Sequence, residues 1–324
     1  MMKLGVVGSG NNSIFHLKAL RDSGFKPEIL LYAGNHKRAE ERSKEFGIAQ
    51  KTTNIQFFKE SNIDAILINS SSNALWEIYK AMWSLDIPIL IEKPITKNIT
   101  KLDEVPNHIQ DKTIVGLNRR LYSAVDNFCL NVNKSRTGSF HFLVPENSWN
   151  GSWGEAEFLE NLYDNLIHTI DLVLYIFKLN FKSISHLNTN LRKDFSGEVF
   201  INFSSENFNG VYQVTFGSPA NYELRFFSKG ETAILKPLEN FEHITHLTLR
   251  EPTQDFPIRS YVPTKSENWQ ISDLDKEYKP GYYQQAKALA SLVQGVRISN
   301  NLARINDVRN ALGIIGMIHD AVLS

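Results

Sequence analysis

The chain has 324 residues, of which 42% are hydrophobic and 22% charged, so it is long enough for two globular domains. Its 35 basic and 35 acidic residues cancel, which argues against a nucleic-acid partner, because such proteins usually carry a basic surplus. A single cysteine, Cys129, excludes an internal disulfide and a thiolate zinc site, and we expect no metal. No apolar run is long enough to span a membrane, and the first strand is too short for a secretion signal. We therefore expect a cytoplasmic protein with no membrane partner.

The first 118 residues alternate short apolar runs with segments of helical spacing. Continuous apolar strands separated by helices indicate a parallel sheet covered on both faces. The sequence therefore predicts an α/β fold that begins with a dinucleotide-binding, doubly wound Rossmann domain over residues 1–118. Its strands are expected at 4–7, 28–33, 64–69, 87–92 and 113–117.

After residue 118 the pattern changes, and residues 119–324 are expected to form an α+β domain for substrate binding and oligomerisation. From 181 to 262 the residues alternate as in consecutive strands, which favours a large, mostly antiparallel sheet. Turns are predicted at Asn209-Gly210, Ser218-Pro219 and Lys229-Gly230. A strand is also predicted at 139–144, and helices at 121–133, 158–177, 282–296 and 306–323.

The candidate phosphate loop follows the first strand and opens the first helix, with the sequence Gly8-Ser9-Gly10-Asn11-Asn12-Ser13. Gly8 permits a tight turn, and Gly10 lets the backbone approach a pyrophosphate at the helix N-terminus. Ser13 replaces the usual third glycine and offers a hydroxyl that could bind an anion. A glycine turn without a ligand is the alternative interpretation.

The end of the second strand is expected to select the cofactor. No acidic residue that could bind the ribose hydroxyls occurs between residues 32 and 39. The segment instead holds Gly34, Asn35, His36, Lys37 and Arg38. A small residue followed by basic ones suits a 2′-phosphate, so the sequence favours NADP over NAD. The alternative is a solvated first turn of the next helix.

Two further motifs contain candidate catalytic groups. Glu92-Lys93-Pro94 ends a predicted parallel strand, at the edge of the sheet where ligands bind in such folds. Asp164 and His168 are spaced to lie on one face of a predicted helix, with Asp171 close by. A core histidine and a purely structural Asp171 are the alternatives.

Together with the glycine loop, these motifs resemble the Gfo/Idh/MocA family, named after glucose-fructose oxidoreductase and inositol dehydrogenase, over nearly the whole chain. Ser71-Ser72-Asn73 resembles the family's T-P-N segment, with Trp76 in place of its histidine. Gly116-Leu117-Asn118-Arg119-Arg120 resembles its G-F-N-x-R motif, and Lys279-Pro280-Gly281-Tyr282 a segment near its C-terminal helices. The Lys-Pro peptide of Glu92-Lys93-Pro94 is cis in many members.

The resemblance implies an NAD(P)-dependent dehydrogenase or reductase that acts on CH–OH groups of a sugar, sugar derivative or nucleotide-sugar. It also implies a homodimer or homotetramer formed through the C-terminal sheet, with Lys93 and His168 facing the nicotinamide. We predict that His168 is the general acid–base, that Asp164 orients it and that Lys93 donates to the reacting oxygen. The reverse assignment of Lys93 and His168 stays open.

The predicted cofactor-binding residues come from the glycine loop and the neighbouring strand ends: Gly8, Ser9, Gly10, Asn11, Asn12, Ser13, Gly34, Asn35, Lys37, Arg38, Ser70, Ser71, Asn73, Glu92 and Asn118. The predicted substrate residues are polar or aromatic: Trp149, Trp153, Tyr122, Asn165 and Tyr282. Two other functions stay open. One is an enzyme that keeps its cofactor and uses transient oxidation for elimination or glycoside cleavage, and the other is a non-catalytic nucleotide-binding regulator.

Overall fold

The computed structural model describes residues 1–32, 34–147, 153–269 and 271–323. The chain forms two compact units, and each contains more than one stretch of sequence. The first unit comprises Met1–Leu121, Glu160–Leu172 and Asp273–Gly316. The second unit comprises Tyr122–Leu159, Val173–Ser272 and Met317–Ser324. His168 therefore belongs to the same unit as the glycine loop, although 150 or so residues separate them along the chain.

The first unit contains a six-stranded sheet in the order β3-β2-β1-β4-β5-β6, and its strands are all parallel. This is the predicted doubly wound pattern, in which the strand order reverses between β1 and β4 and leaves a crevice at their carboxyl ends. The strands are β1 (Met2–Val7), β2 (Phe25–Leu31), β3 (Gln50–Thr52), β4 (Ala65–Ile68), β5 (Ile89–Ile91) and β6 (Thr113–Val115).

The α-helices, in chain order, are α1 (Asn11–Asp22), α2 (His36–Phe46), α3 (Ser72–Met82), α4 (Asn107–Lys112), α5 (Ser123–Ser135), α6 (Glu155–Asn161), α7 (Ile167–Phe177), α8 (Asp273–Glu277), α9 (Tyr282–Val293) and α10 (Ile305–Leu323). A π-helical turn, Leu162–Leu166, separates α6 from α7. Short 3₁₀ turns occur at Ile55–Phe58, Trp83–Leu85, Ile99–Glu104, Asn118–Leu121 and Phe181–Ser183. None of the described helices is both long and apolar enough to cross a membrane.

The core of the first unit lies on the face of the sheet where α1 and α9 pack together. Leu17 and Leu20 of α1 are fully buried, as are Ala286 and Leu289 of α9. Each fully buried leucine contributes about 1.5–3 kcal/mol of transfer free energy. The C-terminal helix α9 is thus part of the same core as the first strand, which contributes Leu4.

The second unit contains an eight-stranded sheet in the order β14-β13-β12-β11-β7-β10-β9-β8. Among the described strands of this sheet only β7 and β10 pair in parallel, so the predicted mostly antiparallel sheet is confirmed. Its core is aromatic, with Phe140 stacked on Phe177 at 4.1 Å between ring centroids. The strands are β7 (Gly138–Glu146), β8 (Ile184–Leu191), β9 (Gly197–Ser204), β10 (Phe208–Phe216), β11 (Glu223–Ser228), β12 (Glu231–Leu235), β13 (Phe241–Arg250) and β14 (Ser260–Trp269).

Two local predictions differ from the structure. The turn predicted at Asn209-Gly210 is wrong, because both residues lie inside β10. A Cβ at Gly210 would come within 2.5 Å of the ring of Phe140, so the glycine makes room for this ring on the neighbouring strand. The single helix predicted over 158–177 is interrupted by the π turn.

Candidate active site

The glycine loop connects β1 to α1 and is shaped by close backbone packing. Gly8 has a φ of 94°, and a Cβ there would lie 1.9 Å from the carbonyl oxygen of Asn69, so only glycine fits. A Cβ on Gly10 would meet nothing within 4 Å. Gly10 is also the N-cap of α1, and no side chain caps the helix there. The first N–H groups of α1 are therefore suited to an anionic group such as a pyrophosphate.

A cavity of about 730 Å³ opens beside this loop, within the range of small-molecule sites. It contains many of the predicted cofactor-binding residues: Gly8, Ser9, Gly10, Asn11, Asn12, Asn35, Arg38, Ser70 and Ser71. It also contains residues that the sequence did not indicate: Val7, Leu31, Tyr32, Thr53, Ile55, Asn69, Ala74 and Ile78. Thr53 and Ile55 follow β3, which is short and polar and gives no strand signal in the sequence. The cavity thus lies at the carboxyl ends of the parallel strands, as the fold predicts.

Six predicted cofactor-binding residues are not among the described residues that line this cavity: Ser13, Gly34, Lys37, Asn73, Glu92 and Asn118. Ser13 is fully buried, and its hydroxyl donates to the carbonyl of Gly10 at 2.6 Å. The hydroxyl therefore stabilises the loop instead of facing the cavity. The side chain of Asn35 accepts from the N–H of Arg38 at 2.9 Å and caps α2.

Glu92 is buried behind the end of β5, where it binds a residue that the sequence analysis missed. Its Oε1 lies 2.8 Å from Nε2 of His16 on α1, and both side chains are buried. Burial alone would raise the pKa of Glu92, but the hydrogen bond with His16 and the charge of Lys93 outweigh it and lower the pKa. The ring of His16 also packs on Tyr282, with centroids 4.2 Å apart. Tyr282, a predicted substrate residue, is thus buried against His16.

Lys93 follows β5, and the Lys93–Pro94 peptide is cis, as the resemblance implied. Its Nζ donates to the main-chain carbonyl of Asp164, which lies in the π turn. A widened turn of this kind is often found at functional sites, because it changes how the helix carbonyls are bonded. Burial lowers the pKa of Lys93, and the charges of Arg119 and Lys279 lower it further, whereas Glu92 and Asp164 oppose the shift. The amine is therefore easier to deprotonate than an ordinary lysine.

His168 lies in the first turn of α7. Burial lowers its pKa well below the usual value, and the positive charges of Lys93, Arg119 and Lys279 act in the same direction. The imidazole is therefore neutral at physiological pH, as a general base must be. Its Nδ1 is buried and has no hydrogen-bond partner among the described residues.

The hydrogen bond predicted between Asp164 and His168 is not present. Oδ1 of Asp164 is also buried without a partner in the described part of the chain. The prediction assumed a regular α-helix, but the π turn at Leu162–Leu166 changes the alignment of Asp164 with α7. Burial raises the pKa of Asp164, although Lys93 and Lys97 oppose the shift. Asp164 instead contacts one catalytic candidate, because its main-chain carbonyl accepts a hydrogen bond from Nζ of Lys93.

Asp171 is bound by a residue of the G-L-N-R-R motif. Arg120 holds its carboxylate with two hydrogen bonds inside the first unit. This arrangement supports the structural alternative for Asp171, because both carboxylate oxygens are engaged by the protein.

Lys279 is a site residue that the sequence analysis noted only as part of a motif. Its Nζ donates to the side-chain oxygen of Asn12 in the glycine loop at 3.2 Å and lies 4.9 Å from the ring centroid of Tyr282. A Cβ on Gly281 would lie 2.5 Å from the carbonyl oxygen of Asn118, whose side chain donates to the carbonyl of Pro280 at 2.8 Å. Asn118, a predicted cofactor residue, thus anchors the segment that carries Lys279.

The remaining predicted substrate residues are less informative. Trp149 lies outside the described residues. Trp153 is buried in the second unit, edge-on to Phe158 and Phe216, and Tyr122 is buried at the start of α5. Asn165 is exposed in the π turn. The ring of Trp153 is packed by these two rings, while its Nε1 is buried without a hydrogen-bond partner among the described residues.

Residues 2–116 match the profile GFO_IDH_MocA, described as an oxidoreductase family with an NAD-binding Rossmann fold. No curated protein matches the sequence.

The whole chain is similar in fold to several solved dehydrogenases. A dehydrogenase (MviM) from Clostridium difficile is 18% identical, with a TM-score of 0.77 and 99% of each chain covered. A levoglucosan dehydrogenase in complex with NADH and levoglucosan is 15% identical, with a TM-score of 0.76 and 99% of this chain and 97% of that chain covered. The UDP-N-acetylglucosamine 3-dehydrogenase GnnA from Acidithiobacillus ferrooxidans is 13% identical, with a TM-score of 0.74 and the same coverage. At such low identity these likenesses establish the fold.

Proposed function

We propose that this chain, whose residues 2–116 match the model of the Gfo/Idh/MocA oxidoreductase family, transfers a hydride between a nicotinamide cofactor and the hydroxyl or carbonyl carbon of a sugar, sugar derivative or nucleotide-sugar. The observation that carries the proposal is the contact between Lys93 and the carbonyl of Asp164, one turn before His168. This contact supports the proposal because it brings Nζ of Lys93 to the turn before His168, and both residues belong to the unit that contains the glycine loop. The sugar dehydrogenases among the proteins of similar fold support the substrate class.

We propose NADP as the preferred cofactor. The uncapped N-terminus of α1 and the glycine at residue 8 suit the pyrophosphate. Arg38 lines the cavity beyond β2, and no Asp or Glu is among the described residues that line it. A guanidinium at that position favours a 2′-phosphate, whereas an NAD site usually has an acid there. When bound, the nicotinamide would supply the hydride acceptor or donor.

The protein's own side chains would accept the hydroxyl proton and stabilise the negative charge on the reacting oxygen. In the oxidation direction, neutral Nε2 of His168 would accept the hydroxyl proton as the hydride leaves carbon. The Lys93 amine would donate a hydrogen bond to the same oxygen and stabilise its developing negative charge. Because the pKa of Lys93 is also lowered, the two groups could exchange these roles. The Asp164 carbonyl is a positioning group, since it holds Nζ of Lys93.

Substitution of Lys93 and His168 tests this function. We expect Lys93→Met and His168→Asn each to lower kcat/KM by about 10²–10⁴-fold while cofactor binding is retained. Lys101→Met, which removes a partly exposed lysine paired with Glu77, is the control and should leave the rate unchanged. Wild-type rates in both site variants would overturn the assignment. Net accumulation of NADPH from added NADP⁺ would also exclude the transient-oxidation alternative, because that mechanism returns the hydride.

We further propose that the chain forms a homo-oligomer through the β13–β14 hairpin of the second unit. Leu247 and Leu249 on β13 are 60% and 44% exposed, and Tyr261 on β14 is 65% exposed. Leu249 pairs directly with Tyr261, so these side chains form a continuous apolar patch. Patches of this kind on soluble proteins usually mark an interface.

A further inference from the structure

A buried histidine and a buried glutamate meet behind the end of β5. Nε2 of His16, on α1, lies 2.8 Å from Oε1 of Glu92, and the two side chains are only 1% and 7% exposed. Neither is among the described residues that line the dinucleotide cavity, and the catalytic steps above use neither. Because a buried carboxylate needs a partner to offset its loss of water, the placement of Glu92 depends on His16.

Glu92 is held at both of its carboxylate oxygens. Oε2 accepts from the main-chain N–H of Lys93 at 3.3 Å, while Oε1 faces His16. A Cβ on Gly116 would lie 3.0 Å from Oε2, so the segment after β6 leaves little room for the carboxylate to move away. The carboxylate is therefore confined between His16 and the N–H of Lys93.

The orientation of the His16 ring suits this contact. Although burial alone would raise the pKa of Glu92, the hydrogen bond of His16 contributes to lowering it, so the carboxylate is ionised at neutral pH. An ionised carboxylate only accepts hydrogen bonds, so Nε2 of His16 is the donor. The ring packs on Tyr282, and its Nδ1 is buried without a partner among the described residues. The polar contact that His16 makes in this part of the chain is thus directed at Glu92.

Lys93 is reached from two sides. Its main-chain N–H is bound by Glu92, and its Nζ donates to the carbonyl of Asp164. The charge of Glu92 also acts on the amine. Burial lowers the pKa of Lys93, and Arg119 and Lys279 lower it further, whereas Glu92 and Asp164 raise it. The position of the Glu92 carboxylate therefore affects both the backbone and the amine of Lys93.

We propose that His16 is a positioning residue for the Lys93 amine. By donating to Oε1 of Glu92, it keeps the carboxylate against the N–H of Lys93, at the strand end from which Nζ reaches the Asp164 carbonyl. This inference rests on the proposed function, because that amine is the group assigned to the reacting oxygen. It also gives Glu92, predicted from sequence as a cofactor residue, a role outside the dinucleotide cavity.

Two substitutions of His16 isolate the hydrogen bond. Glutamine carries its amide nitrogen as many bonds from Cβ as Nε2 of histidine, whereas asparagine reaches only as far as Nδ1. His16→Gln can therefore donate to Glu92, and His16→Asn cannot. Both variants lose the ring that packs on Tyr282, so a difference between them reports the hydrogen bond. His108→Asn, at an exposed histidine 3.9 Å from Asp86, is the control.

NMR of the NADPH-loaded protein with ¹³C at the lysine ε-carbons is the measurement, with the Lys93 signal assigned from Lys93→Met. We expect His16→Asn to displace this signal, and His16→Gln and His108→Asn to leave it in place. The Kd for NADPH should stay nearly unchanged in all three variants. With a sugar that the wild type oxidises, kcat should fall about tenfold or more in His16→Asn only, because a misplaced amine stabilises the transition state poorly.

Glu92→Gln is a second test, which does not depend on the folding of His16→Asn. This variant keeps the size of the side chain but removes the charge that raises the pKa of Lys93. The pH midpoint at which the Lys93 signal titrates should therefore move to lower pH. An unchanged midpoint would overturn the proposal, because Glu92 would then have no influence on the amine.

The other outcomes are equally decisive. The proposal is overturned if the Lys93 signal is the same in His16→Asn and wild type, or is displaced equally in His16→Gln. It is also overturned if His16→Asn weakens NADPH binding and leaves the Lys93 signal in place, because His16 then serves the glycine loop. Failure of the proposed function looks different: Lys93→Met would retain wild-type turnover although the Lys93 signal still responds to His16→Asn.

Discussion

Arg120 donates two hydrogen bonds to the carboxylate of Asp171 inside the first unit, from Nε to Oδ2 at 2.7 Å and from Nη2 to Oδ1. The two side chains are only 4% and 2% exposed. Nη2 also lies 3.0 Å from Asp307 of α10. Because Asp171 is one turn beyond His168 on α7, this pair ties the His168 helix to the segment that follows β6.

We expect Arg120→Met to lower the free energy of unfolding by about 3–5 kcal/mol, because it leaves the Asp171 carboxylate buried without its partner. Arg309→Met is the matched control. Arg309 pairs with Asp103, but these side chains are 30% and 63% exposed, so its loss should cost only about 0–1 kcal/mol. Urea unfolding of both variants measures the difference. Equal losses of unfolding free energy in the two variants would contradict the expected effect of burying the Arg120–Asp171 pair.

Two substitutions in the glycine loop separate folding from cofactor binding. Gly8→Ala forces a Cβ onto the carbonyl of Asn69 and a left-handed φ, so we expect a lower melting temperature. Gly10→Ala meets no protein atom within 4 Å, so the protein should keep its melting temperature and lose NADPH affinity. Thermal melts and NADPH fluorescence titrations measure both effects. Normal NADPH affinity in Gly10→Ala would show that the cofactor does not approach this backbone.

The proposed NADP preference depends on Arg38. We expect Arg38→Ala to raise the Kd for NADPH about tenfold or more and to leave that for NADH nearly unchanged, because only NADPH has the 2′-phosphate. Lys37→Ala is the neighbouring control, since Lys37 does not line the described cavity. Tighter binding of NADH than of NADPH by the wild type would reject the preference.

The pH dependence of kcat/KM should reveal how the nearby positive charges lower the pKa of His168. Its lowered pKa means that the base stays neutral below pH 6.5, so kcat/KM for oxidation should fall only at more acidic pH. Lys279→Met removes one repelling charge and should move this acid limb to higher pH, whereas Lys287→Met, on the exposed face of α9, should not. A shift to lower pH, or none, would contradict the electrostatic assignment. The pH–rate profile with saturating cofactor is the measurement.

The proposed oligomer predicts a specific effect of charge on the β13–β14 hairpin. The double substitution Leu249→Glu and Tyr261→Glu should convert the oligomer to a monomer, measured by size-exclusion chromatography with light scattering. Val296→Glu places a charge on another side chain that is 53% exposed and should leave the mass unchanged. A wild-type monomer at all concentrations would refute the interface.

The sequence predicted the parallel sheet well, because its apolar strands and helical segments alternate clearly. It missed β3, whose Gln50–Thr52 are polar, and placed a turn at Gly210, whose role depends on a ring from another strand. Within the candidate site, Lys93 and His168 were recognisable from motifs. His16 was not, since its contact with Glu92 joins residues 76 positions apart. Helical spacing also suggested that Asp164 orients His168, but the structure has Asp164 in a π turn and no hydrogen bond between the two side chains.

The first unit is built from segments that are far apart along the chain, and this affects how it folds during synthesis. The Rossmann sheet is complete by residue 115, but Leu17 and Leu20 of α1 are covered by Ala286 and Leu289, which are made much later. At about 5–20 residues per second, the ribosome needs on the order of ten seconds or more to add the intervening chain. During that interval we expect the nascent sheet to expose the apolar surface that α9 later covers. A truncated chain that ends before α9 should therefore aggregate rather than bind the dinucleotide on its own.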